Sequence, residues 1–287
     1  MGSRFNTTLL TRWRNELMRT NTAINTSRSP ISSCTLVAAI ALMVLTFTQL
    51  TLAQEAQPKT FASASQAAQA LYEAVKGNDE SGVDAILGCG HDLTSSGSDP
   101  EDKLNHERFV QKYQEMHRFV REPDGTMTLY IGAENWPFPF PLVSKDGQWS
   151  FDSDAGSQEV LAREIGRNEV TAVQICMAFR ELSGPHVQQT SGGDPIREFA
   201  ASLASSRDAG SADSEPFHGY HFRRVAAGKS SDALLVAYPA EYRSSGVMTF
   251  VITGRGLIYE KDLGPQTATA AQQVQGRPAK DWVAMEQ

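Results

Sequence analysis

Cys89, His91, Asp92, His106 and His117 form the densest group of nucleophilic and metal-ligating side chains in this 287-residue sequence. Thiolate, imidazole and carboxylate groups together can hold a transition metal or run nucleophilic chemistry. The spacing offers little support for either. Cys89-Gly90-His91 has no matching second pair, so a tetrahedral site would need ligands that only the fold could bring together. His106-Glu107 opens like a zinc-protease helix, but position 110, where the second histidine must stand, is Val110. His218 and His221 lie in a predicted strand, where an odd separation points them to opposite faces. Asp152, Asp154, Glu159 and Glu164 gather beyond a predicted strand end. Paired carboxylates there could serve acid–base catalysis. Alternatively, Asp152 or Ser153 caps the next helix, whose positive N-terminus favours acids. Nucleophile elbows, phosphate loops and dinucleotide fingerprints are missing from the sequence. The expectation is a protein without catalytic residues, metal or cofactor.

Two further sets of residues carry site expectations. Leu161, Ile165, Asn168, Ala172, Ile175, Phe179 and Leu182 recur at alternating steps of four and three, an apolar helical seam with one polar member. Arg167, Asn168 and Glu169 interrupt that seam. A buried polar group must be bonded, so Asn168 is expected to meet backbone groups of neighbouring strands. Gly166, just before it, predicts a kink or a junction of two helices. In the N-terminal half, Tyr113, His117, Trp136 and Asp152 are the candidates to surround an apolar pocket, the alternative being a small-molecule binder or an enzyme that uses it.

The elements that must position these residues begin after an unusual leader. Arg4, Arg12, Arg14, Arg19 and Arg28 face one acid, Glu16, and no charge occurs from Ser32 to Ala53. Basic region, apolar run and small residues at 51–53 are the parts of an export signal, with Ala53 its last residue. The same stretch is about as long as the roughly 20 residues of a membrane span, so residues 32–53 also read as an uncleaved anchor. Either way residues 54 onward are expected outside the inner membrane, in the periplasm or anchored facing it. Without residues 1–53, Lys+Arg falls from 26 to 21 and Asp+Glu from 33 to 32, a net charge of −11. Such a body repels polyphosphate, which excludes nucleic acid as a partner. The expected partner is an envelope protein or a small apolar ligand. Cys89 and Cys176 are then the two thiols left, either paired in an oxidising compartment or separately buried.

The exported chain reads as α+β. Residues 54–60 form a tether and 61–157 an N-terminal half. There, a helix over 61–76 stops at Gly77-Asn78, and Asp79 caps a short helix over 80–87 that ends at Gly88. A third helix is predicted over 103–120. Strands follow around 127–131, 141–143 and 149–151, with Lys145-Asp146-Gly147 as a hairpin turn. Pro137, Pro139 and Pro141 share one edge of an extended segment that cannot donate hydrogen bonds. Phe138, Phe140 and Leu142 are expected to pair and bury on the other side. A connecting helix spans 158–182 and a Gly/Ser-rich linker 183–215. A C-terminal β-meander over 216–264 precedes a tail over 265–287.

These segments carry a resemblance. Trp136-Pro-Phe-Pro-Phe-Pro-Leu-Val143, Trp149-Ser-Phe-Asp152, Arg163-Glu-Ile-Gly-Arg-Asn-Glu169, His218-Gly-Tyr-His-Phe222, Pro239-Ala-Glu-Tyr-Arg-Ser-Ser-Gly-Val-Met-Thr-Phe250 and Tyr259-Glu-Lys-Asp-Leu-Gly264 resemble the bacterial family catalogued as domain of unknown function 2950. The resemblance implies an exported protein and no particular activity. The chain departs from the family between Leu182 and Pro216, where a longer segment is expected. In shape alone, residues 61–152 are similar to the curved-sheet, cone-like fold of nuclear transport factor 2. From Arg167 onward the chain is similar to the globular head of type IV pilins. The first likeness implies a pocket, the second an assembly surface.

Overall fold

The computed structural model describes residues 58–90, 94–95, 98–183, 193–205, 215–225, 233–276 and 278–285. The leader at 1–53, most of the tether, His91, Asp92 and much of the 183–215 stretch lie outside these residues. Among the described residues no helix is long and apolar enough to cross a membrane. The chain divides into an N-terminal unit ending at Val160 and a C-terminal unit starting at Leu161.

Local capping builds the start of the N-terminal unit. Ser63 accepts from the Gln66 amide to open α1 (Ala64–Lys76), which ends at Gly77. Asp79 accepts from the Gly82 amide at 2.9 Å to open α2 (Glu80–Leu87). Gly88 closes α2 in the left-handed region at φ 67°. The expected helical hairpin is therefore present. α3 (Asp99–Glu115) stops earlier than its apolar spacing suggested, because residues 117–121 extend and form β1 (His117–Arg121). β1 pairs antiparallel with β2 (Met127–Ile131), Phe119 opposite Leu129.

The proline-rich segment then runs back along the other side of β2. β3 (Trp136–Pro137) pairs with Tyr130 and Ile131, and the Phe138 amide donates to Leu129 at 2.8 Å. After two more prolines, β4 (Leu142–Lys145) rejoins β2 at Met127. Asp146 and Gly147, both at positive φ, turn the chain into β5 (Gln148–Phe151). Phe140 and Leu142 are buried and Phe138 half-buried, the aromatic face the alternation predicted.

One expectation is overturned here. Among the described residues no sheet closes or curls strongly, so the cone-like, nuclear transport factor 2-like fold is wrong. The first sheet has strands of two to five residues in the order β1-β2-β4-β5, with β3 attached beside β2. Strands this short cannot wrap a cavity. Their inner side is packed by Leu71, Phe109, Phe138, Phe140 and Phe151 against the helices.

Helix α4 (Ser153–Leu182) is continuous for 30 residues, through Gly166, where a kink or junction was expected. Its residues 153–160 belong to the first unit. Gly156 has no Cβ because the Phe140 ring occupies that space. Leu161 onward belongs to the C-terminal unit, where the seam of Ile165, Ala172, Ile175, Phe179 and Leu182 is buried as spaced. Within the stretch read as a linker, residues 195–205 form α5 (Pro195–Ser205), which buries Ala200 and Leu203. The sheet is a meander of β6 (Tyr220–Arg224), β7 (Ala233–Pro239), β8 (Met248–Thr253) and β9 (Ile258–Asp262). α6 (Thr267–Gln272) and β10 (Val283–Ala284) follow, giving structure to the predicted tail. Tyr220, Phe222, Leu235, Phe250 and Ile252 join the α4 and α5 cluster on one face, and Val236, Tyr238 and Val251 pack with Ala271 on the other.

Candidate functional site

The interrupted seam of α4 leads to the most polar buried point of the C-terminal unit. Glu169 is 0% exposed, and its Oε1 accepts from the backbone amides of Val247 at 3.1 Å and Met248 at 3.0 Å. The Tyr220 hydroxyl lies 3.5 Å from the same oxygen and donates to the Met248 carbonyl at 2.9 Å. Burial first, and the Glu169 carboxylate second, push the Tyr220 hydroxyl well above its ordinary pKa, so it stays a neutral donor. Gly246 completes the arrangement, because the Tyr220 ring and hydroxyl fill the space a Cβ would need. Beside it, Asn168 Nδ2 donates to the Ser245 carbonyl at 3.0 Å. The expected backbone partner is thus found, in the β7–β8 loop rather than in a strand.

These bonds hold a loop from below. Ser245 Oγ accepts from the Glu241 amide at 3.0 Å and donates to its carbonyl at 3.2 Å, and the Arg243 amide donates to Gly246 at 2.8 Å. Arg243 sits at φ 67°, an uncommon conformation for a side chain without local hydrogen-bonding reach. Next to the loop, His218 and Gly219 reverse the chain between Phe217 and Tyr220 at φ 46° and 71°. Gly219 accepts from Ala240 at 2.9 Å, and any Cβ on it would crowd Asn168 and Ser245.

The outer side of the loop is chemically varied and fixed in place. Glu241, Arg243 and Ser244 are exposed, as is His218 on the neighbouring turn. Tyr242 is half-buried; its hydroxyl donates to Asp262 at 3.1 Å, and the Arg243 guanidinium lies 5.4 Å from its ring centre. Burial and then the nearby Asp262 raise the Tyr242 pKa. Arg167 is exposed on α4, one residue before Asn168. A fully buried carboxylate with one oxygen held by two backbone amides is poorly placed to exchange protons with a substrate. A rigid, exposed Glu-Tyr-Arg-Ser turn is well placed to be bound.

The other candidates from the sequence do not converge. Tyr113 is buried between Tyr72, at 4.7 Å between ring centres, and His117, at 4.0 Å, so it fills space instead of lining a pocket. His117 Nδ1 pairs with the Tyr113 carbonyl at 3.0 Å. Trp136 is 39% exposed and meets Phe138 edge-on. Asp152 accepts from the Ala155 amide at 3.0 Å, the capping role rather than the acid–base one. Ser153 instead donates to Leu87 at 2.6 Å, tying α4 to the end of α2. Cys89, half-buried, and Cys176, buried, are free thiols. Burial, and for Cys89 also Asp84, pushes them up to about 11 and about 12. His106 lines a shallow recess with Glu80, Val83, Thr94, Ser95 and Asp102. Among the described residues no group of three or more His, Cys, Asp or Glu side chains is arranged to hold a metal.

Tyr220, Gly246, Tyr242 and Arg243 were missed as site residues. The signal was present, since three of the runs that carry the family resemblance, 163–169, 218–222 and 239–250, meet at Glu169. Comparison with known proteins agrees with that resemblance. A family model described as "Protein of unknown function (DUF2950)" matches residues 58–213 and 206–285. No curated protein and no solved structure matches the chain, which leaves the likeness to pilin heads without support.

Proposed function

We propose that this chain, which belongs to the DUF2950 family, acts by recognition rather than catalysis, as an exported protein that presents the 240–247 loop to an envelope protein. The observation that carries the reading is the fixing of that loop. Asn168 and Glu169 supply three hydrogen bonds to residues 245, 247 and 248. Tyr220 packs beneath Gly246. Pre-ordering removes conformational entropy that a flexible loop would lose on binding. Tyr and Arg, paired here at the tip, are the residue types that most often dominate interface energies. Export rests on the basic, uncharged-core leader, and a net charge of −11 on the remainder disfavours anionic surfaces.

The test has two parts. Cell fractionation and determination of the mature N-terminus should place the protein in the envelope fraction, either starting near Gln54 or retaining residues 32–53. Photo-crosslinking from position 244 in cells should give one discrete adduct that Tyr242→Ala with Arg243→Ala abolishes and Arg255→Ala, on the β8–β9 turn, leaves intact. A cytoplasmic protein, or an adduct that survives the double substitution, would overturn the proposal.

A further inference from the structure

The second face of the C-terminal sheet is covered by the end of the chain. After β9 the backbone turns at Gly264 (φ 74°), forms α6 across the sheet, and returns to the β9 edge as β10. Beneath it lie Val236, Tyr238 and Val251, with Ala271 packed on them and Leu263, Val274 and Trp282 around the margin. Strand alternation and register place His221, Arg223 and Thr249 on this same face: His221 opposes Tyr238, Arg223 opposes Val236, and Thr249 lies two residues before Val251. Thr267, one helical turn before Ala271, is on the underside of α6.

Four buried side-chain atoms in this layer have no hydrogen-bond partner: His221 Nδ1, Arg223 Nε, Thr249 Oγ1 and Thr267 Oγ1. Each regains solvation if the layer parts, so each favours opening. Burial also lowers the pKa of the Arg223 guanidinium, as expected of a charge held away from water. Several attachments hold the layer among the described residues. Arg223 donates to the Ala271 and Val274 carbonyls at 2.8 and 2.6 Å, and Lys261 pairs with the largely exposed Asp281. β10 contributes two residues, and the Met285 amide donates to Ile258 at 2.9 Å. α6 has six residues and no side-chain cap. The opposite face, by contrast, is sealed by α4 and α5 over the larger core cluster. A small apolar contact layer under a short, uncapped helix is the profile of a segment that opens before the rest of its domain.

We infer that residues 264–285 are a strap that opens as a unit at Gly264, uncovering the Val236, Tyr238 and Val251 face while the sheet and the C-terminal part of α4 stay folded. The closed form hides this apolar face, and the open form presents it flanked by Thr249 and His221. The inference rests on the sheet's second face and is independent of the 240–247 loop.

Native-state hydrogen exchange of the full chain, read by mass spectrometry, tests it. Amides of residues 266–285 should exchange at least about tenfold faster than those of β8. Thr267→Val, which replaces an unpartnered hydroxyl with a methyl, should slow exchange across the strap several-fold. Arg223→Met should speed it about tenfold. β8, which exchanges only when the whole unit unfolds, should shift by no more than the same factor and stay slower than the strap in both variants. Should Arg223→Met fail to fold, the wild type and Thr267→Val decide. Strap and β8 exchanging at one common rate, or Thr267→Val accelerating the strap, would overturn the inference.

Discussion

Replacing Glu169 with alanine should destabilise the protein more than any other single change on the polar residues of α4. The carboxylate is fully buried and accepts from two backbone amides, Val247 and Met248. Removing it leaves both donors without that acceptor, at about 1–3 kcal/mol each. Loss of the packed side chain adds about 1 kcal/mol or more. The expected total, roughly 3–7 kcal/mol, is a large share of a typical stability of about 5–15 kcal/mol. Glu169→Gln keeps a carbonyl oxygen of the same reach and should lose about 1 kcal/mol, the difference between charged and neutral acceptors. Tyr220→Phe removes one donor to the Met248 carbonyl and should cost about 1–2 kcal/mol. Urea unfolding of the purified protein gives the three values. Hydrogen exchange at Val247 and Met248 supplies a local readout, with protection lost in the alanine variant and kept in the glutamine variant. A loss below about 1 kcal/mol for Glu169→Ala would refute the reasoning. So would equal losses for alanine and glutamine, since geometry could not then be what the carboxylate contributes.

Three further outcomes follow from the geometry. The Cys176 thiol, pushed to about 12 by burial, keeps its proton in the native state while the unfolded chain releases it above about pH 9. Its contribution is therefore intact below pH 9 and lost as pH rises toward 12, at about 1.4 kcal/mol per pH unit. Cys176→Ala should flatten that part of the stability profile, and parallel wild-type and variant curves between pH 9 and 11 would contradict it. Thiol labelling at pH 8 should modify native Cys89 and Cys176 at least about a hundredfold more slowly than the urea-unfolded chain, because so little thiolate is present. Rapid labelling of both in the folded protein counts against their burial. Gly246→Ala should cost about 2–3 kcal/mol by displacing the Tyr220 ring. Gly147→Ala, at φ 76° with open space around it, should cost only about 1 kcal/mol, and equal unfolding midpoints for the two would remove the steric argument.

What could be read in the sequence was local. Asp79, Gly88 and Asp146-Gly147 cap or turn their own neighbours, so α1, α2 and the β4–β5 hairpin were legible from short windows. The alternating prolines and phenylalanines likewise announced their two faces. β1 was absorbed into a helix because Met116 and Val120 continue the helical spacing of α3, while the pairing that extends them comes from β2. The cone-like fold was inferred from element order, which says nothing about strand length. Strands of two to five residues decide against it. For the site, the polar break in the α4 seam was visible and its need for partners followed from burial. Its partners were not, since Asn168 bonds a residue 77 positions away and Glu169 residues 78 and 79 positions away. Glu169, one place off the seam, carries more of the contact than the residue the spacing singled out.

The proline side of residues 136–142 has a consequence for the chain before it is folded. Trp136, Phe138, Phe140 and Leu142 make an uncharged aromatic stretch of the kind that stacks into cross-β aggregates when exposed on a nascent chain. Each edge of a strand donates from alternate residues, and Pro137, Pro139 and Pro141 remove those donors from one edge. The segment can pair with β2 through the Phe138 amide, yet it is a poor template for copies of itself. Aromatic mass needed for the core is thereby carried in a form that resists self-association at high local concentration, a property that replacing those prolines with alanine would remove without touching a single core side chain.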